Sequence, residues 1–244
     1  MGIRLLIISR SRSDTIADNT ARLLPDWVEV LVPESEREAY SKVIANPLLT
    51  VPDEVRGLGQ LRNWILDNFK EETIVMVDDD ISIVYNLSGE KARRIDDPEE
   101  LVQIIINDAV MAKDTGCKCF GYSQTDIRKY KGHEPFSFSK WVGCVIGVIG
   151  RKYRFRNDKF KVDIDFCLQN LLVDRILFVD NRYYFAQKRD TNKGGNSEFR
   201  TKEGYDESKQ SLIKKWRGYL IPIDHDTQEG LRMKVQRRQK NVRV

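Results

Sequence analysis

Between residues 3 and 85, short apolar runs alternate with amphipathic segments, and that rhythm restricts the chain to an α/β fold. Residues 3–8, 28–32, 48–51 and 73–77 are apolar stretches of strand length, the second closed by Pro33. Between them, 14–24, 34–45 and 57–69 read as helices. Ile16, Thr20, Leu23 and Leu24 share one side of the first, and Leu58, Leu61, Ile65, Leu66 and Phe69 recur at helical spacing in the third. A strand at 81–85 follows. This order predicts a mixed, mostly parallel central sheet covered by helices on both faces. Further on, helices are predicted at 98–115, 163–173 and 203–216. Strands are predicted at 117–122, 141–149, 175–179 and 182–187, the last two joined by a turn at Asp180-Asn181. With 244 residues the chain suits one such domain and is short for two enzymatic ones.

No apolar run approaches the roughly 20 residues that span a bilayer, so no membrane partner is expected. Residues 1–8 read as a buried first strand, not as a secretion signal. Cys117, Cys119, Cys144 and Cys167 lack C-x-x-C spacing, which argues against a zinc site and for reduced thiols in a cytoplasmic protein. A monomer or small homo-oligomer is expected. The net charge of +4 is concentrated at the end. Residues 231–244 hold six basic side chains and no acid, a composition suited to a phosphate-bearing partner or to a solvated terminus.

The strand at 73–77 runs directly into Asp78, Asp79 and Asp80. In open α/β sheets, ligands bind outside the carboxyl ends of the strands. Three adjacent carboxylates repel one another, and a divalent cation relieves that repulsion. In extended chain Asp78 and Asp80 point to one side and Asp79 to the other. Asp78 and Asp80 are therefore the expected pair for Mn2+ or Mg2+, which would bridge to phosphate oxygens.

V-D-D-D after an apolar strand resembles the D-x-D element of glycosyltransferases of the GT-A fold. G-L-G-Q-L-R-N at 57–63 resembles their G-x-x-x-x-R-N helix. The resemblance implies a Rossmann-like fold that binds a nucleotide-sugar donor, with a UDP-sugar as first expectation. It places Ser9, Arg10, Arg12 and Pro33 near the donor's nucleoside, and Arg62, Asn63, Asp78 and Asp79 on the donor side. D-I-D-F at 163–166 is similar to the element that carries the catalytic base of inverting members, with Asp163 the better match and Asp165 second. Val162 stands where many members have an acid. Asp163 could equally serve as a helix cap. His225 is a candidate third metal ligand on the same resemblance, or part of a surface turn. Lys193, Gly194 and Gly195 form a loop that could close on the diphosphate. The implied division is a single domain over 1–230, with a nucleotide-sugar half at 1–85 and an acceptor half at 86–230, followed by a basic tail at 231–244.

For the acceptor, residues 151–161 interleave six basic residues with three aromatics. Arg151, Lys152, Arg154, Arg156 and Lys159 could track phosphates, with Trp141 at the acceptor and Arg237 and Arg238 in the tail adding contacts. The same run could equally be an edge strand with its aromatics in the core. The layout as a whole resembles the phage and TET/JBP-associated DNA glycosyltransferases. The elements that carry this are V-D-D-D, D-I-D-F-C-L-Q at 163–169, the strand from Asn181 to Phe185, the Lys193 loop, and K-W-R-G-Y at 215–219. It implies DNA as partner and a hydroxymethylated pyrimidine, extruded from the stack, as acceptor. For a phage-encoded chain the compartment would be the host cytoplasm. Other readings are a GT-A enzyme acting on polysaccharide, lipid or protein, a non-catalytic nucleic-acid-binding relative, and a nucleotidyltransferase. The last would carry a glycine-rich loop after the first strand, where Ser9-Arg10-Ser11-Arg12 has charge but no glycine.

Overall fold

The first four apolar runs form β1 (Ile3–Ile8), β2 (Glu29–Pro33), β3 (Leu48–Val51) and β4 (Thr73–Asp78), separated by α1 (Thr20–Leu23), α2 (Arg37–Ser41) and α3 (Leu58–Asn68). After Asp79 and Asp80 come β5 (Ile81–Asn86), β6 (Arg93–Ile95), α4 (Pro98–Asp114), β7 (Cys119–Tyr122), β8 (Phe136–Ser137), β9 (Val145–Ile149) and α5 (Val162–Val173). The chain continues through β10 (Phe178–Asp180), β11 (Tyr183–Gln187), α6 (Lys202–Lys215), β12 (Leu220–Pro222) and β13 (Leu231–Met233). The structure is a computed structural model that describes residues 2–122, 134–158, 160–188, 201–223 and 230–235.

Eight strands make one sheet in the order β3-β2-β1-β4-β9-β7-β10-β8. β1, β2, β3, β4, β7 and β10 run in one direction, and β9 and β8 run against them. This is the mixed, mostly parallel sheet that the sequence predicts. Leu5 and Ile7 of β1 enter one hydrophobic cluster while Leu6 and Ile8 enter another, and Val75 and Val77 of β4 are split from Ile74 and Met76 in the same way. Strands buried on both faces have no polar side to alternate with, hence the continuous apolar runs. A second, antiparallel sheet has the order β11-β5-β6, and β12 pairs with β13. Among the described residues no helix is long and apolar enough to cross a membrane. All four cysteines are buried and none forms a disulfide.

Some elements differ from the sequence reading. The helix expected at 14–24 breaks into a 3-10 turn (Ile16–Asp18) and the short α1. The cause is Thr20. Its hydroxyl donates to the Asp78 carbonyl at 2.7 Å and accepts from Ile81 N at 3.0 Å, which ties the segment to the acidic turn. The strands expected at 175–179 and 182–187 do not pair with each other: β10 joins β7 in the main sheet, and β11 joins β5. Residues 231–233, read as the start of the basic tail, form β13 with Leu231 buried.

Beyond the acidic turn, the same carboxyl edge of the sheet carries a second buried acid cluster. β7 ends at Tyr122 and β10 at Asp180, paired in register. Arg182 grips Asp180, with Nε at 3.1 Å from each carboxylate oxygen and Nη2 at 2.6 Å from Oδ2. Asp108 of α4 is 1% exposed, and the nearest Arg182 nitrogen is 4.0 Å away. Burial first, then the Asp180 carboxylate, pushes Asp108 up to about 8. Its folded pKa is raised, so its contribution to stability is full below about pH 4 and is lost as pH rises through about 8. Asp108→Asn is expected to flatten the fall in stability over this range by on the order of a few kcal/mol. Urea unfolding from pH 5 to 8.5 measures it, and coincident pH profiles for the two proteins would rule Asp108 out as the titrating group.

Candidate active site

Strand order reverses at β1: β2 and β3 extend the sheet to one side and β4 to the other. Crevices for ligands open at such switch points, at the carboxyl ends of the strands. Ile8 and Asp78 are partners in register, so residues 9–12 and 78–80 meet there.

Asp79 and Asp80 form the turn after β4, and the three acids take different partners. Asp79 turns inward, where Oδ2 accepts from Ser9 Oγ and Oδ1 pairs with Arg12 Nη1. Tyr40 closes this knot: its hydroxyl lies 2.6 Å from Ser9 Oγ and accepts from Arg12 N at 3.0 Å. Asp78 and Asp80 turn the other way, toward Gln187. Gln187 Nε2 donates to Asp78 Oδ2 at 3.3 Å and to Asp80 Oδ1 at 2.8 Å. The remaining oxygens face guanidinium groups, with Asp78 Oδ1 3.4 Å from Arg62 Nη2 and Asp80 Oδ2 3.3 Å from Arg12 Nη1.

The electrostatics follow from this crowding. Burial pushes Asp78 up to about 7; Arg62 pulls it down, and Asp80, Asp79 and Asp163 push it further up. Burial pushes Asp79 up to about 6 against the pull of Arg12 and Ser9. Asp163 therefore lies within the field of the acidic turn, although it comes from α5.

At the start of α5, Lys161 takes the cap position in the left-handed region, with φ 54°. Its Nζ donates to Tyr205 Oη of α6 at 2.7 Å. A non-glycine residue there is strained and is held by its surroundings. Asp163 thus lies in the first helical turn and does not cap the helix. Asp165 is 0% exposed, and both of its oxygens are taken. Trp216 Nε1 at 2.7 Å and Lys215 Nζ at 2.6 Å hold Oδ1, and Gln169 Nε2 at 2.8 Å holds Oδ2. This corrects the reading of Asp165 as an alternative base: it is the anchor between α5 and α6.

Several residues read as ligand contacts also hold the frame. Ser9 and Arg12 are buried and engaged with Asp79, and Pro33 is buried at the end of β2. Arg10 Nη2 donates to the Val55 carbonyl at 2.9 Å. Arg62 is 1% exposed and lies 5.3 Å from the Phe155 ring centre. Asn63 brackets Phe155, donating to its carbonyl at 2.8 Å and accepting from its N–H at 2.9 Å. A side chain at Gly59 would meet the Arg156 carbonyl oxygen at 1.9 Å, so the glycine lets this segment lie on α3.

The basic run at 151–158 is largely satisfied within the chain. Arg151 serves the carbonyl end of α3, donating to Leu66 O at 2.7 Å and to Glu71 O at 3.0 Å. Lys152 pairs with Asp174, Arg154 with Asp67 at 2.7 Å and Arg156 with Asp158 at 2.5 Å. Tyr153, Phe155 and Phe160 are buried, so they offer no face for stacking on an extruded base. Trp141 is partly buried against the core. Lys159, Lys193, Gly194, Gly195, His225, Arg237 and Arg238 lie outside the described residues. Sequence reasoning missed Tyr40 and Gln187, because neither stands in a charge or spacing pattern.

Among the described residues no three His, Cys, Asp or Glu side chains converge as a metal site. Mg2+ and Mn2+ do not require such a set: one or two carboxylates suffice, with phosphate oxygens and water completing the shell. Asp78 Oδ2 and Asp80 Oδ1 face a common point, marked by one amide nitrogen, and fit an open site of that kind.

The fold is an α/β sheet with acids gathered at its carboxyl edge. The model of the TET-Associated Glycosyltransferase family matches residues 3–195, and the chain belongs to that family. No curated protein sequence matches it. Among solved structures, S. aureus TarS 1–349 is 13% identical over 76% of this chain, with TM-score 0.45. The chain spans 60% of that protein's length. TarS 1–349 in complex with UDP-GlcNAc is 14% identical over 94% of this chain and 68% of its own, with TM-score 0.46. A Pyrobaculum calidifontis mannosyltransferase in complex with GDP-Man and Mn2+ is 13% identical over 66% of this chain and 49% of its own, with TM-score 0.43. Family membership rests on the family match, not on these distant likenesses.

Proposed function

We propose that the protein transfers a sugar from a nucleotide-sugar, a UDP-sugar first among donors, to the hydroxyl of a hydroxymethylated pyrimidine in DNA. The observation that carries the donor half is the carboxylate pair of Asp78 and Asp80 at the switch point, with one oxygen of each turned to a common point. Those two acids would hold Mn2+ or Mg2+, which when bound supplies Lewis-acid stabilisation of the departing diphosphate. Arg12, Ser9 and Tyr40 keep Asp79 turned away, so the pair is presented without it. Asp163 takes the acceptor hydroxyl's proton as the new oxygen–carbon bond forms at the anomeric centre. The bond to the diphosphate breaks, and the nucleotide leaves with the electron pair. Arg10, Pro33, Arg62 and Asn63 belong to the donor side, with Lys193, Gly194 and Gly195 closing on the diphosphate and His225 near the metal.

Membership in a TET-associated family supports the DNA acceptor, together with the basic residues beyond position 230. A second reading, transfer to a polysaccharide, lipid or protein, is favoured by one observation: Lys152, Arg154 and Arg156 are paired within the chain, and the neighbouring aromatics are buried. The two readings separate in one assay. The protein is incubated with Mn2+, a panel of UDP-sugars, and DNA containing 5-hydroxymethylcytosine or 5-hydroxymethyluracil, and the nucleosides are weighed by mass spectrometry. A nucleoside heavier by one sugar is the expected product. Release of UDP with no heavier nucleoside on either DNA would move the acceptor to the second class.

A further inference from the structure

Gln187 stands where a cation would sit. Asp78 and Asp80 each give one oxygen to a guanidinium and the other to the Gln187 amide. The two oxygens that face Gln187 are therefore the ones not already facing Arg62 or Arg12. Pairing along β11 delivers it there. Ala186 lies opposite Ile83, but the next step slips and Gln187 lies opposite Ile81. Such irregularities re-aim a side chain. The backbone is fixed on both sides of the residue, with Ser82 Oγ donating to Ala186 O at 3.2 Å and Lys188 N donating to Asp80 O at 2.9 Å.

Arg62 stands beside the same pair of acids. Arg62 is 1% exposed and points its guanidinium at Asp78, yet its Nε and Nη1 have no acceptor among the described residues. Buried donors are nearly always satisfied, and these two would suit an acceptor oxygen, not a cation. An amide nitrogen between two carboxylates occupies the position of a positive charge. A glutamine exchanges nitrogen for oxygen by a half-turn about its last side-chain bond. Amide carbonyls are hard oxygen ligands of the type that Mn2+ and Mg2+ accept.

We propose that Gln187 is the third protein ligand of the cation held by Asp78 and Asp80, donating through Nε2 when the cation is absent and turning Oε1 to it when it is bound. This rests on the metal-dependent reading of the acidic turn.

The test is binding of Mn2+ to the whole chain, followed by loss of the free-ion electron paramagnetic resonance signal, with and without UDP. Gln187→Ala is expected to weaken Mn2+ binding about tenfold or more. Gln187→Glu keeps an oxygen ligand and is expected to bind Mn2+ at least as tightly as the parent. Circular dichroism melts confirm that each variant is folded. If Gln187 only shields the acids, its removal frees them, and Gln187→Ala would bind Mn2+ as tightly as the parent or more so. That result overturns the proposal and leaves the two-acid site standing. If the parent itself binds no Mn2+ in either condition, or if Asp80→Ala binds as well as the parent, the reading of the acidic turn falls and this proposal falls with it.

Discussion

Asp80→Asn is expected to lower kcat/KM by about 10³-fold, because it removes one of the two carboxylates that would hold the cation under the diphosphate. The fold is expected to survive. Asp80 is only one partner of Arg12, which keeps Asp79 and stays neutralised. Asparagine retains an oxygen that can accept from Gln187 and loses the negative charge. The loss should therefore appear in UDP affinity measured with Mn2+ present, and much less in UDP affinity without metal. Titration calorimetry under both conditions, alongside initial rates, makes the comparison. An Asp80→Asn enzyme with parental rates would show that the acidic turn is structural, and would return the diphosphate to basic residues elsewhere.

The parts of this site that the sequence made legible are those fixed by strand order. An apolar run at 73–77 ending in three aspartates reads as a buried strand with its acids at the carboxyl end, and the pairing of β4 with β1 and β9 agrees. What stayed illegible depends on pairing at a distance. Gln187 reaches the acids because β11 pairs with β5 and slips at its last step, and no local pattern announces either fact. Thr20 interrupts a helical pattern because its hydroxyl is claimed by residues about 60 positions on. The run at 151–156 carried a signal that pointed both ways. Lys152, Arg154 and Arg156 alternate with Tyr153 and Phe155, which describes a basic, aromatic nucleic-acid face and equally an extended segment with one side in the core. The structure has the second: the aromatics are buried, and each of those three cations meets an acid. If DNA is the acceptor, residues 231–244 also have the charge for phosphate contacts.

The second large effect is expected at Asp163. Two carboxylates open α5, and the structure gives them opposite surroundings. Asp165 is enclosed, with Trp216, Lys215 and Gln169 on its oxygens, and it fastens α5 to α6. Asp163 is half-buried, one residue inside the helix start, and its charge acts on Asp78. A base needs partial exposure, which Asp163 has and Asp165 lacks. Asp163→Asn is nearly isosteric and leaves the Asp165 anchor untouched, so α5 should stay in place. Removal of a general base costs typically about 10² to 10⁴ in rate, so kcat should fall within that range while the Kd for UDP with Mn2+ stays within about twofold. Single-turnover rates and calorimetry on the same preparation make the split visible. Loss of UDP binding together with a lowered melting temperature would assign Asp163 to the frame, and an unchanged kcat would place the base elsewhere. Asp165→Asn should behave in the opposite way. It leaves Lys215 facing a neutral amide and should lower thermal stability first, with activity following the folded fraction.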